Sequence, residues 1–294
     1  MRKTSVYLPE DLKTELTALA RRWARSEAEL LRLAVERLVQ AARDDAPPAD
    51  SAPAREPGPR LVGVGVGPSD PRLVTEQAIA TLRNADRVFA AAIGPDAIGH
   101  AEAIVRAAAP EVRVDRVVFD VAGDEPARAA SLAVAADTLV DPLDAGEVVA
   151  FVTLGDPNVY TTFPSLARLV AERRPSVPII TVPGVMAFQE LAAEAGTVLA
   201  EEGEHLTLVV ADGDPATLDA MLADPGSTVV LYKGGRHLPS VARALRARNR
   251  LDGAVVGERL GLPGGRCVPV KSVADRPASY LATVVIPASR AAKP

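Results

Sequence analysis

The chain has 294 residues, of which 48% are hydrophobic and 3% aromatic, and a net charge of -5. That length holds one large or two moderate domains plus a small one. The mildly acidic balance excludes a uniformly basic nucleic-acid binder, and so few rings argue against a surface that stacks many bases or sugars.

The first 43 residues differ from the rest, with nine Lys/Arg against six Asp/Glu, so a small +3 segment precedes a body of -8. Alternation of Thr4, Val6 and Leu8 with Lys3, Ser5 and Tyr7 predicts a short strand ended by Pro9. Leu12, Leu16, Leu19 and Ala20 then recur at helical spacing up to Trp23. Ser26 with Glu29 forms a capping-box signature for a second helix ending near Ala42. One strand and two helices are too few to build a core alone, and the lone strand leaves an edge unpaired. Pairing of two copies solves both problems. The run TSVYLPEDL over 4–12 carries a resemblance to the ribbon-helix-helix regulators over residues 2–42, and a ribbon-helix-helix module is expected over 1–42. That resemblance implies operator DNA contacts from Lys3, Ser5 and Tyr7, and phosphate contacts from the backbone of Ser26 and Glu27. Ala24-Arg25 stands where the family usually has Gly, and the ribbon has few long polar side chains. A module that only dimerises, with Tyr7 as an ordinary solvent-facing strand residue, is the competing reading.

Residues 43–60 hold five prolines and little that is apolar beyond Ala, which marks a disordered or semi-extended linker. Strand 61–66 follows and ends in the loop Gly67-Pro68-Ser69-Asp70-Pro71. Helix 73–82, strand 87–91, helix 101–108, strand 112–119, helix 126–144, strand 147–154, helix 164–173 and strand 177–182 come next. The alternation predicts an α/β fold with a mostly parallel sheet covered by helices. Beyond it, helices 188–195, 215–222 and 238–246 and strands 206–211, 228–232, 254–258 and 280–286 predict a mixed sheet. Leu262-Pro263-Gly264-Gly265 suits a hairpin turn. Two body domains are expected, 61–175 and 176–290.

Glycine-rich ends on three strands, at GVGVGPSDP, LGDPNVYTTF and PG, point to a ligand crevice at the carboxyl edge of a sheet. The first lacks the dinucleotide spacing, no Walker Lys-Ser/Thr pair occurs, and no GxSxG elbow occurs. Cys267 is the one cysteine, which excludes an intrachain disulfide and a paired-cysteine metal site. His100, His205 and His237 are scattered, and no metal is expected. No secretory segment or uncharged membrane-length run is present, so a soluble, cytoplasmic protein with no membrane partner is expected.

GVGVGPSDPRLVTEQAIATLRNADRVF, FVTLGDPNVYTTF, VPGVMAF and VVLYKGGRHLPSV resemble, in order and spacing, the tetrapyrrole (corrin/porphyrin) methylase family over residues 61–290. LGDPNVYTTFPSL and VPGVMAFQELAAEAG are most similar to its precorrin-2 C20-methyltransferase subgroup. The resemblance implies a homodimer of two-domain chains. It also implies S-adenosyl-L-methionine held in the cleft between the domains, and precorrin-2 or cobalt-factor II as substrate in cobalamin biosynthesis. Carried over by position, the cofactor site comprises Pro68, Leu154, Gly155, Asp156, Tyr160, Thr161, Thr162, Met186, Ala187, Tyr232 and Lys233. Ser69, Arg72, Arg236 and Arg259 are the candidate substrate contacts, and Asp70 the candidate catalytic group. Met186 replaces the usual Thr or Ser, and Ser69 the usual Gly. Several residues have plainer readings: Asp70 and Asp156 as turn caps, Tyr160 as filler between domains, Thr161 and Thr162 as local backbone partners, the arginines as solvated charges. A regulator that senses S-adenosylmethionine or a tetrapyrrole through a methylase-like body is the alternative function.

Overall fold

The computed structural model describes residues 10–22, 25–44, 58–120, 124–211, 214–262 and 264–290. It divides into two units, Met1–Ala54 and Arg55–Pro294.

In the front unit, α1 (Glu10–Arg22) is followed by α2 (Glu27–Asp44). The Ser26 hydroxyl accepts from the Glu29 N–H at 3.2 Å, so the capping signature starts the second helix as expected. The Glu27 carboxylate, at the positive end of α2, takes a 2.6 Å hydrogen bond from Thr17 and an ion pair from Lys13 of α1. Ala20 and Leu30 are buried, whereas Leu12, Leu19 and Val35 remain exposed. The expected strand with Lys3, Ser5 and Tyr7, the Trp23-Ala24 turn and most of the linker lie outside the described residues.

The body begins with a five-stranded sheet. Its strands are β1 (Arg60–Gly65), β2 (Arg87–Ala92), β3 (Val114–Val118), β4 (Val148–Thr153) and β5 (Ile179–Val182). The order is β3-β2-β4-β1-β5, with every neighbour parallel. The period of two within each apolar run sorts side chains to opposite faces. Leu61, Phe89, Val149 and Phe151 pack under α5 (Glu125–Asp144) and α6 (Phe163–Arg173). Val62, Val64, Val88, Ala90, Ala150 and Val152 pack under α3 (Glu76–Asn84) and α4 (His100–Ala108). Gly63 faces the Phe163 ring, and a Cβ there would run into it.

The second sheet is mixed. It contains β6 (His205–Val210), β7 (Ser227–Tyr232), β8 (Val255–Glu258), β9 (Arg266–Pro269) and β10 (Thr283–Ile286), in the order β6-β7-β10-β8-β9. β6 and β7 are parallel and the remaining neighbours antiparallel. One face packs on α9 (Leu238–Ala247) through Leu238, Val241 and Leu245, and α8 (Pro215–Met221) joins it through Leu218 and Met221. The other face meets α7 (Ala187–Ala195) through Phe188 and Leu191.

Three expectations need adjustment. The helix expected over 73–82 is a short turn, Pro71–Leu73, followed by α3, because the Thr75 hydroxyl caps the Ala78 N–H at 3.1 Å and restarts the helix. β9 lies in a stretch for which the sequence offers a hairpin turn but no strand, and it pairs antiparallel with β8. β5 is the edge of the first sheet, paired to β1, so a boundary at 175/176 would part a sheet from its own strand. The change of sheet falls between β5 and β6.

Candidate functional site

The carboxyl ends of β1, β4 and β5 meet backbone to backbone. Gly155 N–H donates to Gly67 carbonyl at 2.9 Å, closing a bridge between the loops after β4 and β1. A Cβ on Gly65 or Gly184 would run into the Gly155 carbonyl, so these positions admit only glycine at this spacing. The convergence lies where the chain order of a parallel sheet reverses around β1 and β4, the usual position of a crevice in such folds.

Asp156 both caps and clamps. Its Oδ1 accepts from Asn158 N–H at 2.9 Å, and its Oδ2 from Gly184 N–H at 3.3 Å, tying the β4 loop to the β5 loop. Thr161 donates to the Pro157 carbonyl at 2.7 Å, and the Thr162 side chain makes no cap bond to α6. Met186 precedes Ala187 at the start of α7, and its N–H donates to Gln189 Oε1 at 2.8 Å. Leu154 is packed against the α3/α4 core, and Pro68 is buried.

Tyr160 crosses between the sheets. With φ 52° its side chain turns out of the loop, and its hydroxyl donates to the Leu208 carbonyl of β6 at 2.7 Å. Its ring lies 5.6 Å from that of Tyr232, which meets Phe188 edge-on at 6.4 Å. Burial pushes the Tyr232 hydroxyl far above the ordinary phenol range; the nearby Phe188 backbone offsets this only in part and falls short of a hydrogen bond. Lys233 follows in left-handed backbone, φ 57°.

Asp70 is committed. One oxygen accepts from the Arg72 backbone N–H at 2.8 Å, capping the turn after it, and both take the Arg72 guanidinium at 2.6–3.0 Å. Those bonds hold its carboxyl below the usual range, which makes it a weak base. The Ser69 hydroxyl folds back onto the Pro68 carbonyl. Gly261, φ +70°, lies against the Asp70 backbone, so the loop of Arg259 meets the loop of Ser69 and Asp70. Arg259 and Arg236 are exposed.

Four buried polar atoms near these segments have no hydrogen-bond partner: Thr153 Oγ1, Glu190 Oε2, Tyr232 OH and Ser279 Oγ. Buried polar groups are nearly always paired, so each such orphan marks a place that a ligand or water can fill. Glu190, in the first turn of α7, is pushed above the ordinary carboxylate range by burial and by Asp70 and Glu194. Sequence reading singled out neither Thr153 nor Glu190, since their unpartnered oxygens are evident only in the folded chain.

Among the described residues no helix is long and apolar enough to cross a membrane. The tetrapyrrole (corrin/porphyrin) methylase profile matches residues 60–273. A precorrin-2 C(20)-methyltransferase from Sinorhizobium sp is 30% identical over 78% of this chain and 95% of its own length. A cobalt-precorrin-2 C(20)-methyltransferase from Salmonella typhimurium is 28% identical over 77% and 95%. Uroporphyrin-III C-methyl transferase from Thermus thermophilus, solved in complex with S-adenyl homocysteine, shares the fold. Its TM-score is 0.55 at 23% identity, covering 78% of this chain and 92% of that one. The glycine cradle, the tyrosine pair and the orphaned hydroxyls suit a nucleoside carrying an amino-acid tail. The chain belongs to the tetrapyrrole (corrin/porphyrin) methylases, and its cofactor is S-adenosyl-L-methionine.

Proposed function

We propose that the body methylates C20 of precorrin-2, or of its cobalt-bearing counterpart cobalt-factor II, in cobalamin biosynthesis. The observation that carries this reading is the convergence of Gly65, Gly155 and Gly184 beside Tyr160 and Tyr232. The two relatives named for this reaction, each spanned over 95% of its length, support the choice of ring position.

When bound, S-adenosylmethionine supplies a methyl group activated by its sulfonium, so the protein's task is alignment more than acid–base work. The backbone of Leu154, Gly155, Met186 and Ala187, with Pro68, holds the cofactor without presenting a competing nucleophile. Tyr160 and Tyr232 flank its ring, with Lys233 beside them. Asp156, Thr161 and Thr162 keep the β4 loop in shape. Ser69, Arg72, Arg236 and Arg259 face the substrate. Asp70 acts by positioning Arg72 and its loop, since its bonds to Arg72 leave it a poor proton acceptor.

The front unit is proposed to pair two copies of a cytoplasmic homodimer and to reach operator DNA through Lys3, Ser5 and Tyr7. The TSVYLPEDL pattern and the exposed Leu12, Leu19 and Val35 support the pairing.

The test is turnover with freshly generated precorrin-2 and, in parallel, cobalt-factor II. One methyl gained per S-adenosylhomocysteine released is expected with at least one of them. Cofactor binding without transfer to either overturns the enzyme reading in favour of a sensor.

A further inference from the structure

Asp156 is bound to Asn158 and Gly184, Asp70 to Arg72, and Glu258 to Arg266 and Ser279. Each of these carboxylates is occupied by the protein itself. Glu190 differs: its Oε2 is buried and has no hydrogen-bond partner. Glu147 also carries such an oxygen, but it precedes β4 and so lies at the amino end of the sheet, away from the glycine junction.

The start of α7 lies over the loop after β4, since a Cβ on Gly155 would touch the Met186 Cα at 3.9 Å and its Cγ at 4.0 Å. Glu190 N–H donates to the Met186 carbonyl at 3.3 Å, which puts Glu190 one turn further along the same face. Helical side chains lean back towards the N-terminus, so the Glu190 carboxyl covers the Met186 turn beside the junction. The loop after β1 approaches from the other side, where Asp70 adds like charge to Glu190. The strands packed against α7 bring it no cation. β10 has no titratable group, Glu258 of β8 and Arg266 of β9 hold each other, and Cys267 of β9 is acted on by Glu194. Burial, Asp70 and Glu194 all raise the proton affinity of Glu190 above the ordinary carboxylate range.

Methylation of a ring carbon that bears hydrogen is a substitution, so a proton must leave. The electron pair of C20 forms the new C–CH3 bond, and the pair of the old S–CH3 bond stays on sulfur. The C20–H bond then breaks, its pair returns to the macrocycle, and the proton needs an acceptor. Asp70 is a weak one because Arg72 holds it. We infer that Glu190 accepts the proton that C20 releases after methyl transfer. The inference rests on the proposed methylase function and adds to it the group that completes the substitution. Ionised Glu190 also opposes the positive charge that the ring carries between the two steps. The side chain is half-buried, so the proton can pass on to water. A base whose proton affinity lies near the working pH suits this task best.

The test uses the full chain, with the Glu190 carboxyl followed by carbon-13 NMR and assigned through Glu190→Gln. Its titration is expected above the ordinary carboxylate range, and kcat for precorrin-2 should rise with pH along the same curve. Glu190→Gln should lower kcat roughly 100-fold and abolish that rise, with KM for precorrin-2 and S-adenosylmethionine affinity at their wild-type values. Glu190→Asp should recover part of the rate. Deuterium at C20 should slow Glu190→Gln more than wild type, because proton removal becomes the slow step. A Glu190→Gln protein with wild-type kcat and pH profile, or a Glu190 carboxyl that titrates in the ordinary range, overturns this role and leaves the methylase reading standing. A loss in Glu190→Gln confined to KM or to cofactor affinity also overturns it, in favour of a structural part. No methyl transfer to precorrin-2 by wild type removes the methylase reading, and the proton acceptor with it.

Discussion

Two carboxyl groups in this crevice are driven in opposite directions by their surroundings. Asp70 is held low by Arg72, while Glu190 is pushed up by burial, with Asp70 and Glu194 adding like charge. A carboxyl raised on folding binds more protons in the native state than in the unfolded chain between its two pKa values. Its favourable effect is therefore present below the ordinary carboxylate range and is lost as pH rises towards the raised value. Glu190→Gln removes that loss. The variant is expected to unfold at higher urea than wild type at neutral pH, and the gap should close below the ordinary carboxylate range. A gap independent of pH would show that Glu190 carries no such shift. Gly155, Asp156 and Tyr160 share one loop of distinctive composition, which the sequence singles out and which the fold ties to the β5 loop and to β6. The plainer reading of Asp70 as a turn cap is the one its hydrogen bonds favour. Glu190 was not legible, because a helical Glu acquires meaning only from what the fold places beside it.

At the scale of elements, the first half of the body was legible almost strand by strand. Continuous apolar runs of strand length, separated by helices, leave few alternatives to a buried parallel sheet. The shortest pieces were harder: β9 is four residues long with no alternation of its own, and β5 reads as a strand without revealing which sheet receives it. Sheet membership is decided by pairing with β1, a long-range contact. The glycine junction is the element-level feature with the sharpest consequence. Gly184→Ala places a methyl group against the Gly155 carbonyl and the Gly65 backbone, and neither strand end can yield without moving the loop it carries. Overpacking of this kind costs about 1–3 kcal/mol. The variant is expected to lose that much stability in urea unfolding and more than tenfold in S-adenosylmethionine affinity by calorimetry. Wild-type affinity in a folded Gly184→Ala protein would remove the junction from the cofactor site.

At the scale of the whole molecule, the chain is two units joined through a proline-rich segment, and the methylase profile lies entirely within the second. By composition, the proline-rich run between them reads as a linker. Deleting residues 1–58 is therefore expected to leave methyl transfer within about twofold of the full chain, a margin well under the tenfold that 1.4 kcal/mol represents. A large loss of turnover would show that the front unit contributes to the site. The proposed reaction moves one methyl group from the cofactor to C20 of a precorrin-2-type ring. The most direct test supplies S-adenosylmethionine carrying a carbon-13 methyl group and locates the label in the product by NMR. A single labelled methyl on C20 is the predicted result; label at another ring position, or none in the macrocycle, would contradict it.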